Sequence, residues 1–206
     1  MTSTAKHPDS VTDPAKRRPP STDFLRSLEE EAVRIRERAG VEPLGPLDPW
    51  AVLDQLGLTI MTTDELEGMT PELRAQVRKL TPKEWSGGGM PLPDGDLYIL
   101  LHPDQTPERA RITTMEEVAH EHYGHEPTAI TQLPSGGFKR SFDQRVEQEA
   151  YWTAAAALLP MKAVGLAVYQ GKHEDELAKE YGVSIELVQF RIKILGLWKH
   201  YTRRAA

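Results

Sequence analysis

Glu116, Glu117 and His120 lie in the run Ile112 to His125, ITTMEEVAHEHYGH, at a spacing that can hold a metal ion. On an α-helix, residues four apart are separated by about 400° of rotation, so Glu116 and His120 project from one face, one turn apart. Two such side chains can grip one ion. Glu117 lies beside them, where its carboxylate can reach a water at the same centre. The pattern has the form of HExxH, a helical motif in which two His bind zinc and the Glu serves as general base. Here Glu116 stands at the place of the first His.

A catalytic zinc takes three protein ligands and keeps one position open, so a third ligand must come from elsewhere. The stretch from Phe142 to Leu159 reads as helix, with Glu147, Ala150, Tyr151, Ala154 and Leu158 on one face. A carboxylate on a mostly apolar stripe needs a partner or a metal. Glu147 therefore joins Glu116 and His120 in one candidate centre. Glu117 would take a proton from water and pass it to a leaving amine. Glu149 lies about 200° round the same helix, which keeps it from that centre. Other arrangements remain open at this level. His120 and His125 would stand about 140° apart on a helix, poorly placed to share an ion. His122 and His125 could pair, but with no base in the usual place between them. The alternative to any metal is a buried polar network of Glu and His groups.

Several elements must position these side chains. A helix is signalled from Ser21 to Gly40, with Phe24, Leu28, Ala32 and Ile35 on one stripe. Asp48-Pro49 has the form of a helix start leading Trp50 to Leu56, and Gly57 to Met61 reads as a short strand. The start signal recurs at Thr70-Pro71, Thr81-Pro82 and Thr106-Pro107. Trp85 to Gly89 reads as a flexible loop and Pro91 to Asp96 as turn-rich, bracketing a hairpin whose second strand is Leu97 to Leu101. A further helix follows Pro160 and ends at Gly171. Beyond it, Leu177, Ala178 and Tyr181 close a short helix at Gly182, Ser184 caps the next, and Val188, Ile192 and Leu195 continue it. That spacing is a helix-turn-helix, for which Arg191, Lys193, Lys199, Arg203 and Arg204 are the DNA-contact candidates. The acidic first helix (Glu174, Asp175, Glu176, Glu180) argues against phosphate contact.

Composition narrows the function classes. A chain of 206 residues can bury one core, or one domain with a small appendage. It has no cysteine, which excludes disulfides and thiolate ligands or nucleophiles and points to a reducing compartment. No apolar run approaches the roughly 18 residues of a membrane span, and the polar N-terminus lacks the hydrophobic region of a signal peptide. The expectation is a soluble, cytoplasmic protein with no membrane partner. The net charge of −6 disfavours nucleic acid as a partner for the surface as a whole.

Three stretches, in this order and spacing, resemble the ImmA/IrrE-type metallopeptidases. RITTMEEVAHEHYGH lines up without gaps against an RFTLAHELGHLLLGH type of segment, and EQEAYWTAAAALLP against ExEAxxFAAxLLxP. ELAKEYGVSIELVQFRIKILGL is similar to a terminal helix-turn-helix ending in Leu-Gly-Leu. The resemblance runs from about Ser21 to Tyr201. It implies an α+β, mostly helical fold: a zincin-like metalloprotease domain with a small β-sheet and a C-terminal helix-turn-helix-like module. The implied organisation is a disordered tail over residues 1–20, the peptidase-like domain over 21–171 and the helical module over 172–206. By position, Glu116 is the first metal ligand, Glu117 the catalytic base, His120 the second ligand and Glu147 the third. The implied cofactor is one divalent ion, zinc, with manganese as the alternative because two carboxylates suit a harder ion. The implied activity is cytoplasmic endopeptidase cleavage of a helix-turn-helix repressor. Its alternative is a non-catalytic regulatory or metal-sensing protein of the same fold, acting by protein or DNA binding.

Overall fold

The computed structural model of the chain describes residues 21–82, 85–91, 97–126, 130–132, 138–140 and 143–204. The expected N-terminal tail lies outside these residues. In chain order the elements are α1 (Thr22–Arg38), α2 (Pro49–Leu56), β1 (Thr59–Thr62), α3 (Pro71–Val77), β2 (Gly87–Pro91), β3 (Leu97–Leu101), α4 (Pro107–Tyr123), β4 (Ile130–Gln132), β5 (Phe138–Arg140), α5 (Gln144–Leu158), α6 (Met161–Gln170), α7 (Glu174–Tyr181), α8 (Ile185–Ile194) and α9 (Trp198–Arg204). This is a mostly helical α+β fold with a small sheet.

Side-chain caps set the helix starts. The hydroxyls of Ser21, Thr70 and Thr106 accept from the backbone N–H of Phe24, Leu73 and Arg109, satisfying N–H groups that have no partner within the helix. Thr106-Pro107 and the ITTMEEVAHEHY run thus form one helix of 17 residues, α4, which begins five residues before Ile112. After Thr81-Pro82, Trp85 N–H bonds the Thr81 carbonyl at 3.1 Å, residues 83 and 84 lie outside the described residues, and strand β2 begins at Gly87.

The sheet has the order β1-β3-β2, with β1 parallel and β2 antiparallel to β3. Gly87 to Gly89, expected as part of a flexible loop, are strand instead. A Cβ on Gly87 would stand 2.7 Å from both the Leu100 carbonyl and Thr113 Cγ2. Glycine therefore serves close approach of β2 to β3 and to α4, rather than turn formation. Strand β4 pairs antiparallel with β5, Thr131 opposite Lys139.

The core gathers around α5. Trp152 and Ala154 to Leu159 are essentially inaccessible to solvent, and the small alanines let α1 and α4 pack close against that helix. Leu28, Ala32 and Ile35 face it from α1, and Met115, Val118 and Ala119 are buried on α4. Arg36 is also buried, donating to the carbonyls of Ala157 (2.7 Å) and Glu42 (2.6 Å).

The C-terminal helices join the same core through Leu177, Val188, Ile192 and Tyr201. Helices α7 and α8 are joined through Gly182, at φ 62°, and Ser184, whose hydroxyl accepts from Leu187 N–H. Helix α9 was not anticipated from the sequence. Arg191, expected among the DNA contacts, is 1% exposed. It donates Nε–H to the Leu159 carbonyl at 2.9 Å and pairs with Glu29 of α1. Lys193 lies over the Trp198 ring, 4.6 Å from its centre. Among the described residues no single helix is long and apolar enough to cross a membrane; α5 and α6 pass that test only as a pair bent by 54°.

Candidate metal centre

Helix α4 carries Glu116, Glu117 and His120 along the side that meets α5 and β2. Asp143 caps α5, its carboxylate accepting from Arg145 N–H (2.9 Å) and Val146 N–H (3.5 Å). This start places Glu147 in the first turn, next to the fully buried Ala150. A carboxylate in a helix's first turn is also favoured by the helix dipole. Glu116, His120 and Glu147 each offer one ligand atom, and these atoms all lie within 4.8 Å of one another. All three side chains are partly buried. His120 Nε2 and Glu147 Oε2 stand 4.0 Å apart.

The group fits a divalent cation. Ligand atoms held tetrahedrally at about 2.0–2.2 Å from zinc are about 3.4 Å from one another, so side-chain shifts on the order of an ångström close the set. Two carboxylates and an imidazole also match the charge of such an ion. Glu117 Oε2 lies 3.5 Å from where a Cβ on Gly89 would stand, so the carboxylate borders strand β2.

The end of α4 gives His125 a different place from the one a continuous helix would. The helix stops at Tyr123, and Gly124 adopts the left-handed conformation at φ 64°. Gly124 N–H bonds the Glu121 carbonyl (3.0 Å) and His125 N–H the His120 carbonyl (2.9 Å), the paired closure of a Schellman motif. His125 is thus off the helix, and the turn folds its ring back onto His120. The two Nδ1 atoms lie 3.0 Å apart. On its far side, His125 Nε2 is 3.2 Å from Glu149 Oε2 of α5. The 140° separation applies to residues on one continuous helix, and Gly124 ends it first.

His122 does not pair with His125. Its Nε2 is 2.8 Å from Glu31 Oε2 on α1. Tyr123 stacks on His125 with ring centres 5.1 Å apart and planes 13° apart, and its hydroxyl shares a 2.8 Å hydrogen bond with Thr153. Burial pushes the Tyr123 hydroxyl up to about 12, so it stays protonated and neutral. The sequence reading singled out none of Glu149, Tyr123, Thr153 or Gly89 for the site. Gly124 was the available signal, since a glycine after a helical run marks a helix end and places His125 beyond it.

A helix bearing EExxH, a carboxylate from the neighbouring helix and a small mixed sheet beside them define a zincin-like α+β domain. The family model described as IrrE N-terminal-like domain, of the peptidase M78 type, matches residues 70–193, and the chain belongs to that family. A solved structure described as a Mycobacterium tuberculosis transcriptional regulator is similar at 16% identity with a TM-score of 0.48, over 83% of this chain and 49% of that one. The chain thus spans about half the length of that regulator. No curated protein matches it.

Proposed function

We propose that the chain is a metal-dependent endopeptidase that hydrolyses a peptide bond in a protein substrate, a helix-turn-helix transcriptional repressor in the cytoplasm. The observation carrying this reading is the convergence of the Glu116, His120 and Glu147 ligand atoms within 4.8 Å, with Glu117 adjacent on α4. Glu116, His120 and Glu147 would hold one divalent ion, zinc or manganese. When bound, that ion supplies Lewis acidity for amide hydrolysis. Glu117 accepts the proton of the attacking water and delivers it to the departing amine nitrogen as the C–N bond breaks. Membership in the IrrE N-terminal-like family supports the assignment; the repressor substrate rests on the resemblance of the three sequence stretches.

Metal analysis and cleavage assays together test it. Purified protein should carry about one equivalent of divalent metal, in line with one three-ligand centre. His120→Ala should lose that metal. Glu117→Gln should keep the metal and lose cleavage of a co-expressed repressor by roughly a hundredfold or more. Undiminished cleavage by Glu117→Gln overturns the base. A correctly folded, metal-free wild-type protein overturns the centre.

The carboxylate at Glu116 favours a second reading, a metal-sensing regulator that binds a protein partner without cutting it. Metal-dependent partner binding with no cleavage product would decide for that reading.

A further inference from the structure

Three side chains from two elements line up behind the candidate centre: Glu149 of α5, His125 just past the end of α4, and His120 on α4. The contacts run from Glu149 Oε2 to His125 Nε2 at 3.2 Å, and from His125 Nδ1 to His120 Nδ1 at 3.0 Å. His125 is nearly buried, with a side-chain exposure of 10%. One face of its ring is covered by Tyr123, which Thr153 holds in turn. The His120 ring meets it edge-on at 69°.

An ionised carboxylate only accepts hydrogen bonds, whereas a neutral imidazole has one donor nitrogen and one acceptor. With both rings neutral and Glu149 accepting, His125 carries its hydrogen on Nε2, and its Nδ1 is then an acceptor. The 3.0 Å contact between the two Nδ1 atoms needs one hydrogen, which must belong to His120. His120 Nε2 is left with its lone pair. That atom lies 4.0 Å from Glu147 Oε2, on the side of the candidate ligand group.

We infer that His125 and Glu149 are positioning residues that lock His120 in its Nδ1–H tautomer and aim the Nε2 lone pair at the point between Glu116 and Glu147. The inference rests on the metal centre proposed above but not on peptide cleavage. A ligating His commonly donates its other N–H to a carboxylate or carbonyl. Here an imidazole stands between, so the carboxylate acts across two rings. The lock depends on Gly124, because the left-handed turn there delivers His125 to His120.

Zinc affinity, measured by competition with a chromophoric chelator, and nitrogen-15 NMR of the histidine rings in metal-free protein test the proposal. The wild type should show His120 as the Nδ1–H tautomer. His125→Phe keeps a ring against Tyr123 but removes the acceptor, and should weaken zinc binding roughly 10–100-fold and mix the His120 tautomers. His125→Asn, whose side-chain oxygen can take the place of Nδ1, should restore most of the affinity. Glu149→Leu should weaken zinc as His125→Phe does, which keeps the test decisive if His125→Phe folds poorly. A wild-type His120 carrying its hydrogen on Nε2, or zinc binding by both His125→Phe and Glu149→Leu equal to wild type, overturns the inference. A wild type that binds no zinc overturns the metal centre itself, a separate result.

Discussion

At Glu116 a carboxylate oxygen occupies the position one helical turn before His120, where the HExxH pattern has an imidazole nitrogen. Two carboxylates and one imidazole neutralise a divalent ion, which lowers its Lewis acidity and favours harder ions. Glu116→His should therefore raise the preference for zinc over manganese by about tenfold, a difference of about 1.4 kcal/mol, as read in a two-metal competition experiment. An unchanged preference would remove Glu116 from the ligand set. The groups that could meet in one centre were legible at this scale, because helical phase relates Glu116 to His120 and because Glu147 is a carboxylate on an apolar stripe. The partners of His120 were not. They depend on a ring that leaves the helix at Gly124 and on Glu149, which was set aside for facing away from Glu147.

Between elements, α4 is tied to α1 by His122 and Glu31 and to α5 by Tyr123 and Thr153. The hydrogen bond from His122 is the main reason the Glu31 carboxyl is held below its ordinary value of 4.5; burial opposes it and Arg34 assists. A folded-state value below the unfolded one means the contribution is fully present above pH 4.5 and is lost as pH falls through the lowered value. Wild type should accordingly melt higher than Glu31→Gln at neutral pH, and the gap should close in acid. A gap that stays constant from neutral to acid pH would deny the link any dependence on Glu31 ionisation. Apart from α9, the helices were legible from caps, Pro-containing start signals and apolar stripes, down to Gly171 and Gly182 as stops. Strand β2 was not, since a Gly-Gly-Gly run has no side-chain pattern, and its conformation depends on Leu100 and Thr113 lying against Gly87.

Across the whole molecule, Arg191 joins the C-terminal helices to the rest. Its guanidinium reaches the Leu159 carbonyl at the end of α5 and Glu29 on α1, where Glu29 is itself only 12% exposed. Removing one partner of such a pair leaves a poorly solvated charge behind. Arg191→Ala should cost about 3–5 kcal/mol, measured by urea denaturation, and a loss under 1 kcal/mol would show that water replaces the contact. Charge reversal at Arg191 would thus report unfolding rather than any loss of DNA contact. Lys193→Glu is the cleaner probe of that question, since Lys193 is exposed.

The sequence alone determined the helical phases, the caps, the hairpin's second strand and the residues able to bind metal, all of which follow from backbone geometry and side-chain chemistry acting over a few residues. Tertiary structure decided which buried polar groups meet. It turned Arg191 from a DNA-contact candidate into an internal anchor, gave His122 to Glu31, and set His125 and Glu149 behind His120. The reason is physical: a local pattern fixes the direction of a side chain within its own element, whereas the partner it finds depends on how distant elements pack and where a turn such as Gly124 sends the chain.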